Sequence, residues 1–357
     1  MLDNKTILIT GGTGSFGKQF VKTVLAKYTP KKLIIFSRDE LKQFEMRQQF
    51  SEHTYSCLRY FIGDIRDRSR LSRAFNGVDF VIHAAALKQV STCEYNPIEA
   101  VKTNVMGAAN VIDAAIDCGV SNVIALSTDK AVSPVNLYGA TKLCSDKLFV
   151  SANNYSGAHG PKFSVVRYGN VVGSRGSVVP IFMNARDSGH LDITDERMTR
   201  FWITVEQSVS FVLQSLALAR GGEIYVPKLP SMRIVDLAKA IAPQCEFNII
   251  GIRAAEKLHE VMISEEDARY TLDLGDYYLI LPFSKIRNMD SSINTNVGEN
   301  TNVGENTKVG ENANVAENIN VGEPCREGFY YSSQHNDRWL TKNDLAQMVC
   351  HLSISSS

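Results

Sequence analysis

Short apolar runs alternate with stretches of helical periodicity through the first half of this chain. The runs at 6–10, 32–36, 58–62, 80–83, 122–126 and 163–167 are too short for helices and rich in Ile, Leu, Val and Phe. Such runs predict strands buried on both faces. Between them the apolar positions recur at helical spacing, as at Phe20, Val21, Val24 and Leu25. A long amphipathic helix is predicted after Pro97, through Ala100, Val101, Val105, Ala108, Ala109, Ile112 and Ala115, and it carries Asn104. Strands and helices alternating at this interval predict an α/β fold with a doubly wound parallel sheet. Beyond about residue 171 the alternation fails. The segments 189–195, 224–226 and 247–250 read as short strands of a smaller, mixed α/β lobe.

The expected organisation is a nucleotide-binding domain over 1–170, to which part of 196–222 returns. A C-terminal substrate lobe would span 171–285 and 324–357. Between 294 and 323 the chain repeats a hexapeptide, Asn-Val-Gly-Glu-Asn-Thr and variants of it. So few units make less than two coils of a β-helix, and valine is their only regular apolar residue, so the expectation is a disordered insertion dispensable for chemistry.

Glycines decide what the first strand–helix unit does. Residues 6–10 run straight into Gly11, Gly12, Thr13, Gly14, Ser15, Phe16 and Gly17, and then into a helix. In that context Gly11 permits a tight turn, Gly14 admits a pyrophosphate and Gly17 lets the helix pack on the strand, as in a Rossmann fold. Thr13, Ser15 and Phe16 belong to the same candidate cofactor loop. The second strand ends in Ser37, Arg38, Asp39 and Glu40, where a ribose-binding carboxylate or a 2′-phosphate-binding arginine is expected. Arg38, with Lys42 one helical turn later, favours NADP over NAD; Asp39 reads either as the carboxylate or as a helix N-cap. Asp64, before Ile65, is placed to accept from an adenine amino group or to cap the next helix. Ala84, Ala85 and Ala86 are small enough for a dinucleotide to lie over them, and His83 reads as a packed strand end.

The catalytic candidates follow the fifth strand, which delivers Ser127, Thr128, Asp129 and Lys130 at its carboxyl end. Pro134 breaks the backbone, and Tyr138 and Lys142 then stand four apart on one helical face. An ammonium beside a phenol favours the phenolate, making Tyr138 a base for a substrate hydroxyl.

Charge and cysteine content narrow the class. The 357 residues carry 38 basic and 38 acidic side chains, a balance that recruits neither nucleic acid nor an anionic membrane. The seven cysteines form no C-x-x-C pair and no metal-like cluster with His, so no metal site is expected. No apolar run approaches the ~20 residues needed to span a bilayer, and no signal core precedes the first strand. A cytoplasmic protein is expected.

The motifs Thr-Gly-Gly-Thr-Gly-Ser-Phe-Gly at 10–17, Phe-Ser-Arg-Asp-Glu at 36–40, Ser-Thr-Asp-Lys-Ala at 127–131, Tyr138 with Lys142, Arg-Tyr-Gly-Asn-Val at 167–171 and Glu-Lys-Leu-His-Glu at 256–260 together carry a resemblance. The chain resembles the extended short-chain dehydrogenase/reductases, and among them the C5-inverting 4,6-dehydratases of UDP-N-acetylglucosamine that open pseudaminic acid synthesis. Asp129-Lys130 is the discriminating pair, since retaining dehydratases carry Asp-Glu there. The resemblance implies a transient C4 oxidation by NADP, with Tyr138 taking the hydroxyl proton and Thr128 and Lys142 orienting and polarising the site. Lys130, its pKa lowered by desolvation, would remove the C5 proton, and Asp129 would protonate the departing C6 hydroxyl. By resemblance Asn170 lies near the sugar or diphosphate, Arg200 and Arg253 meet the diphosphate, Glu256 holds the uridine ribose and Lys88 reaches the sugar. The family pattern has Pro-Gly where this chain has Ala254-Ala255, so the shape of that loop is in question. The family forms homo-oligomers, often hexamers. Rival readings are a nucleotide-sugar 4-epimerase, an inverting enzyme of the N-acetyl-L-fucosamine route and an NADP-sensing regulator.

Overall fold

The structure, a computed structural model, describes residues 1–174, 177–282 and 322–354. The first buried runs form β1 (Thr6–Thr10), β2 (Lys32–Ser37), β3 (Leu58–Ile62) and β4 (Phe80–His83), separated by α1 (Ser15–Lys27), α2 (Glu40–Gln49) and α3 (Arg68–Phe75). Asp39 and Asp67 cap α2 and α3 by accepting from the Lys42 and Arg70 amides, which satisfies helix N–H groups that lack an intrahelical partner.

After β4 come α4 (Val90–Tyr95), α5 (Pro97–Val101) and α6 (Gly107–Asp117), the last two joined by a π-helical turn, Lys102–Met106. The single helix expected after Pro97 is thus interrupted where it carries Asn104. A one-residue widening hardly disturbs apolar spacing, so the sequence pattern does not show it. β5 (Asn122–Thr128), α7 (Leu137–Ala152) and β6 (Lys162–Tyr168) complete the doubly wound unit. Its strands lie parallel in the order β3-β2-β1-β4-β5-β6. The order reverses between β1 and β4, and a crevice for a ligand opens at the carboxyl ends there.

The second half supplies β7 (Asn170–Val171), α8 (Val178–Ala185), β8 (His190–Ile193), β9 (Thr199–Ile203), α9 (Val205–Leu218), β10 (Ile224–Pro227), β11 (Ser231–Arg233), α10 (Ile234–Ile241) and β12 (Glu246–Ile249). They are followed by β13 (Val261–Ile263), α11 (Glu265–Ala268), β14 (Thr271–Asp273), β15 (Tyr277–Ile280), β16 (Glu323–Pro324), β17 (Tyr331–Ser332) and α12 (Lys342–Ile354). One expectation is corrected here. The strand at 224–226 does not belong to a separate small sheet: β10 pairs parallel to β6, and β15, β14 and β16 extend the same sheet antiparallel. A four-residue run that is buried throughout looks alike in either sheet, and only pairing distinguishes them.

The smaller sheets are β7-β9-β11, β8-β12 and β13-β17. Around them Val179, Phe182, Leu191, Ile193, Trp202, Leu237, Ile241 and Leu345 form a second hydrophobic cluster, distinct from the one under the main sheet. Most of the repeat region, 294–321, lies outside the described residues. Its last two residues are described, and Glu323 pairs with Asp273 at the edge of the main sheet. Among the described residues no helix is long and apolar enough to cross a membrane, and no group of His, Cys, Asp and Glu is arranged to hold a metal ion.

Candidate active site

The glycine turn at the end of β1 is shaped by contacts that exclude side chains. Gly11 has φ +66°, and a Cβ there would lie 2.9 Å from the Ala85 backbone, so glycine is required twice over. A Cβ on Gly17 would overlap the Gly12 carbonyl and push α1 off the turn. Gly14 is the N-cap of α1, without a side chain to cap it, so the positive helix end is open to an anion at the carboxyl end of β1. Thr13 is buried beside it, Ser15 begins the helix, and the Phe16 ring stacks on Phe20 with centroids 6.2 Å apart. Across the crevice the Ala85 amide donates to Thr10 Oγ1 at 3.2 Å, with Ala84 half-buried and Ala86 exposed. A cradle that side chains would fill suits a dinucleotide pyrophosphate.

At the end of β2, Ser37 is buried and accepts from Gln43 Nε2 at 3.0 Å. Arg38 extends to Asp64 at 3.6 Å, while Lys42 pairs with Asp39 at 2.8 Å. Asp39 thus caps α2 and pairs with a lysine. Asp64 does not cap α3, as Asp67 does that. Its carboxylate instead takes Nε and Nη2 of Arg66 at 2.9 and 2.7 Å, which the chain direction after β3 makes possible. The Ile65 side chain is buried, close against Gly107 at the start of α6. His83 is buried against Thr10, Nδ1 to Oγ1 2.9 Å, and burial, with Lys142 nearby, lowers its pKa to about 3. It is a neutral packed residue.

The fifth strand brings Thr128, Asp129 and Lys130 to the start of α7. Gly139 makes this approach possible, because a Cβ there would overlap the Lys130 carbonyl oxygen. Asn136 caps α7 by accepting from the Gly139 amide at 2.8 Å. Tyr138 contacts Thr128 by a side-chain hydrogen bond; burial pushes its phenol up to about 12, against the opposing pull of Lys130 and of that bond. Lys142 is buried and directs Nζ to the Leu126 carbonyl at 2.8 Å, and burial lowers its pKa while Asp146 raises it. Of the charges that act on the phenol, Lys130 lowers its pKa and Asp129 raises it.

Lys130 corrects a second expectation. Burial does act to lower its pKa, yet Asp129 and Glu260 outweigh burial and hold the ammonium above its ordinary value. Its Nζ lies 3.1 Å from Asp129 Oδ1 and 3.0 Å from Glu260 Oε1. Asp129 is fully buried, and its pKa is raised by that burial against the pull of Lys130, with Glu260 adding to the rise. Glu260, also buried, is held below the ordinary carboxylate range because Lys130 and Arg200 overcome its desolvation. Arg200 is turned into this network. Its Nε is 3.7 Å from Glu260, and its Nη atoms donate to the carbonyls of Thr199, Leu258 and Lys257. An arginine expected at a diphosphate is thus committed to a buried carboxylate, a role that charge and spacing along the chain do not reveal.

The remaining candidates rim the site. Asn170 Oδ1 and Glu256 Oε2 are buried without a hydrogen-bond partner, as are Asp129 Oδ2 and Glu260 Oε2. Arg253 is exposed and stands 3.9 Å from Glu256. Lys88 Nζ reaches Ser174 Oγ at 3.5 Å, and burial lowers its pKa. Buried acceptors left unpaired are costly in a finished core and are a sign of a site that awaits donors.

Comparison with known proteins decides the lineage. The family model described as "Polysaccharide biosynthesis protein" matches residues 7–282. The chain belongs to that family. It is 53% identical over 354 residues, 98% of this chain and 99% of the relative, to the UDP-N-acetylglucosamine 4,6-dehydratase (inverting) of Campylobacter jejuni subsp. jejuni serotype O:23/36. A UDP-glucose 4-epimerase of Rickettsia canadensis is 44% identical over 292 residues, 78% of this chain and 84% of that protein. The crystal structure of Pen from Bacillus thuringiensis superposes with a TM-score of 0.82 at 32% identity, covering 99% of both chains.

Within this polysaccharide biosynthesis chain two site residues escaped the reading of the sequence. Glu260 was visible only as the end of Glu-Lys-Leu-His-Glu, with no signal that it folds back on Lys130. Asn104 was placed on a helix, but not seen to lock Leu87 and Thr141 together: Oδ1 accepts from the Leu87 amide at 2.8 Å and Nδ2 donates to Thr141 Oγ1 at 3.0 Å.

Proposed function

We propose that this protein converts UDP-N-acetylglucosamine to the C5-inverted 4-keto-6-deoxy sugar nucleotide, a 4,6-dehydration with no net consumption of NADP. The observation that carries this reading is the pairing of buried Asp129 with half-buried Lys130 beside Tyr138 and Thr128, supported by the C. jejuni relative of that name. The glycine cradle and the alanines of the crevice would hold the dinucleotide, which supplies a hydride acceptor at C4 and a donor at C6. Arg38 and Lys42 are the residues that favour NADP over NAD, since each presents a cation where a 2′-phosphate would lie. Tyr138, as the phenolate that Lys130 favours against burial, takes the proton of the C4 hydroxyl; the oxidation comes first because only a 4-keto group makes the C5 proton acidic enough to remove. Lys130 removes that proton. Asp129, whose pKa burial raises, serves as the acid that gives a proton to the departing C6 hydroxyl, and reprotonation of C5 from the opposite face inverts the centre.

Asn170, Arg253 and Glu256 remain the proposed contacts to the sugar nucleotide, with Lys88 at the sugar, and the product would enter a pseudaminic acid type of pathway. A second reading has an observation of its own, the relative named UDP-glucose 4-epimerase. An epimerase needs Tyr138 and Lys142 but has no task for a buried acid and amine next to them.

The test is proton NMR of the NADP-loaded protein with UDP-N-acetylglucosamine in deuterated water. A new C6 methyl signal with deuterium at C5 is expected. A changed configuration at C4 with C6 intact would establish the epimerase, and an unchanged spectrum would remove both readings.

A further inference from the structure

Glu260 lies far along the chain from the catalytic strand, yet it is the closest side chain to Lys130. Nζ stands between two buried carboxylates, 3.0 Å from Glu260 Oε1 and 3.1 Å from Asp129 Oδ1. The glutamate is held from both sides. Its amide donates to Ser333 Oγ at 2.9 Å, the Ser333 amide donates to its carbonyl at 2.8 Å, and Ser333 Oγ is also 2.8 Å from Thr199 Oγ1. Arg200, seated on three backbone carbonyls, approaches Oε1 from the other direction. Glu260 Oε2 has no partner although it is buried. An unsatisfied buried acceptor costs about 1–3 kcal/mol, so Oε2 is open to a donor that the folded chain does not itself supply.

We propose that Glu260 is a positioning residue for Lys130 that stores its proton, so that Glu260, Lys130 and Asp129 form one proton relay. The proposal rests on the dehydratase reading and supplies what that reading lacks. With Glu260 as the carboxylate and Asp129 as the acid of the group, Lys130 rests as an ammonium, which has no lone pair with which to take a proton from carbon. After C4 is oxidised, Lys130 passes one proton from Nζ to Glu260 Oε1 across the 3.0 Å contact, an uphill transfer because the pair favours ammonium and carboxylate, so the neutral amine and neutral acid are a minor population from which the C5 step draws. The amine then takes the C5 proton, the C5 electron pair expels the C6 hydroxyl, and Asp129 gives that hydroxyl the proton that makes it water. Asp129 is now a carboxylate and Glu260 still an acid. The stored proton returns from Glu260 to Lys130 as Lys130 hands one to Asp129 across the 3.1 Å contact. The proton that Tyr138 took from the C4 hydroxyl matches the one restored to C5, so every group ends as it began. The neutral form of Lys130 never has to exist in free solution.

The experiment separates C4 oxidation from C5 chemistry in the NADP-loaded enzyme. Wild type, Glu260→Gln and Glu260→Asp are compared for reduced-nicotinamide absorbance in a single turnover, for deuterium entry at C5 and for the pH profile of kcat. Glu260→Gln is expected to oxidise C4 at the wild-type rate with KM unchanged, and to lose ~10²-fold or more in C5 exchange. Raising the pH should restore part of that exchange, because hydroxide then deprotonates the lysine, whereas wild type shows no such gain. Glu260→Asp should recover part of the rate. Wild-type C5 exchange in the glutamine variant would overturn the relay, and so would equal losses in both steps, which would make Glu260 structural. Should Glu260→Gln not fold, Glu260→Asp carries the test alone: selective slowing of C5 exchange supports the relay, and undiminished exchange ends it. Failure of the wild type to form a methyl product would instead remove the dehydratase reading itself.

Discussion

Ala255 holds its backbone at φ +68°, a left-handed conformation that costs an alanine roughly 1–2 kcal/mol and a glycine almost nothing. It stands in the loop of Arg253 and Glu256, where the chain departs from the family's Pro-Gly. The strain is kept because the Ala255 carbonyl accepts from Asn136 Nδ2 at 2.9 Å, and Asn136 is the same residue that caps α7, the helix that carries Tyr138. Ala255→Gly removes the strain without breaking that bond. After allowing for the freedom glycine gains in the unfolded chain, a net stabilisation of up to ~1 kcal/mol is expected. Urea unfolding should show a higher midpoint at unchanged slope, and a lower midpoint would mean that the methyl group is packed rather than strained. The departure was legible in the sequence as two alanines. That the second one occupies a glycine conformation was not, because backbone angles are set by where the loop is anchored.

At the scale of elements, the site depends on how closely α7 approaches the turn after β5. Gly139 lies beside Tyr138, and a Cβ there would overlap the Lys130 carbonyl oxygen and stand 3.0 Å from Pro134 Cβ. Gly139→Ala therefore acts as overpacking between two backbones, which costs typically ~1–3 kcal/mol. It should also move Tyr138 away from Thr128. The expected outcome is a loss of kcat well beyond the loss of stability, with the folded protein still binding NADP, as read by steady-state rates and cofactor titration. Equal kcat in the alanine variant would show that α7 is free to shift. The strands and helices themselves were readable from apolar periodicity, and the glycine cradle of α1 from strand-turn-helix context. The π turn at Asn104 and the partnership of Gly139 with Lys130 were not, since neither alters the pattern of apolar positions.

For the whole molecule, the segment beyond the hexapeptide repeats reaches into the site. Ser333 holds the backbone of Glu260, Tyr331 donates its hydroxyl to the Leu229 carbonyl at 3.1 Å, and Asn336 Nδ2 bonds Leu229 and Ser231 at 2.8 Å each. Replacing 294–321 by a short glycine-serine linker is expected to leave the C6-methyl-forming rate within about twofold, because loop closure costs change only by fractions of a kcal/mol with length. Ending the chain at 321 should abolish the reaction and destabilise the fold, as unpaired backbone and the buried Tyr331 are lost. The two variants, compared by product NMR and thermal melting, test the tail separately from the repeats. Full activity of the truncated chain would mean that Glu260 needs no support from Ser333.

By itself the sequence determined the class of fold and the glycine turn after β1, and it singled out Tyr138, Lys142, Asp129 and Lys130 as the proposed site, because each is carried by local spacing and local backbone rules. Tertiary structure alone decided what those groups are electrically. Lys130 was expected to be a desolvated amine of lowered pKa, and is an ammonium, because Glu260 lies against it from another strand connection 130 residues along the chain. Arg200 was expected by resemblance to meet the diphosphate and is a buried neighbour of the same glutamate. Burial and charge pairing depend on which distant segments are brought together, and Coulomb forces between them are strong only once water has been excluded. Periodicity fixes neither, so the sequence could propose the site's residues while their charge environment came only with the fold.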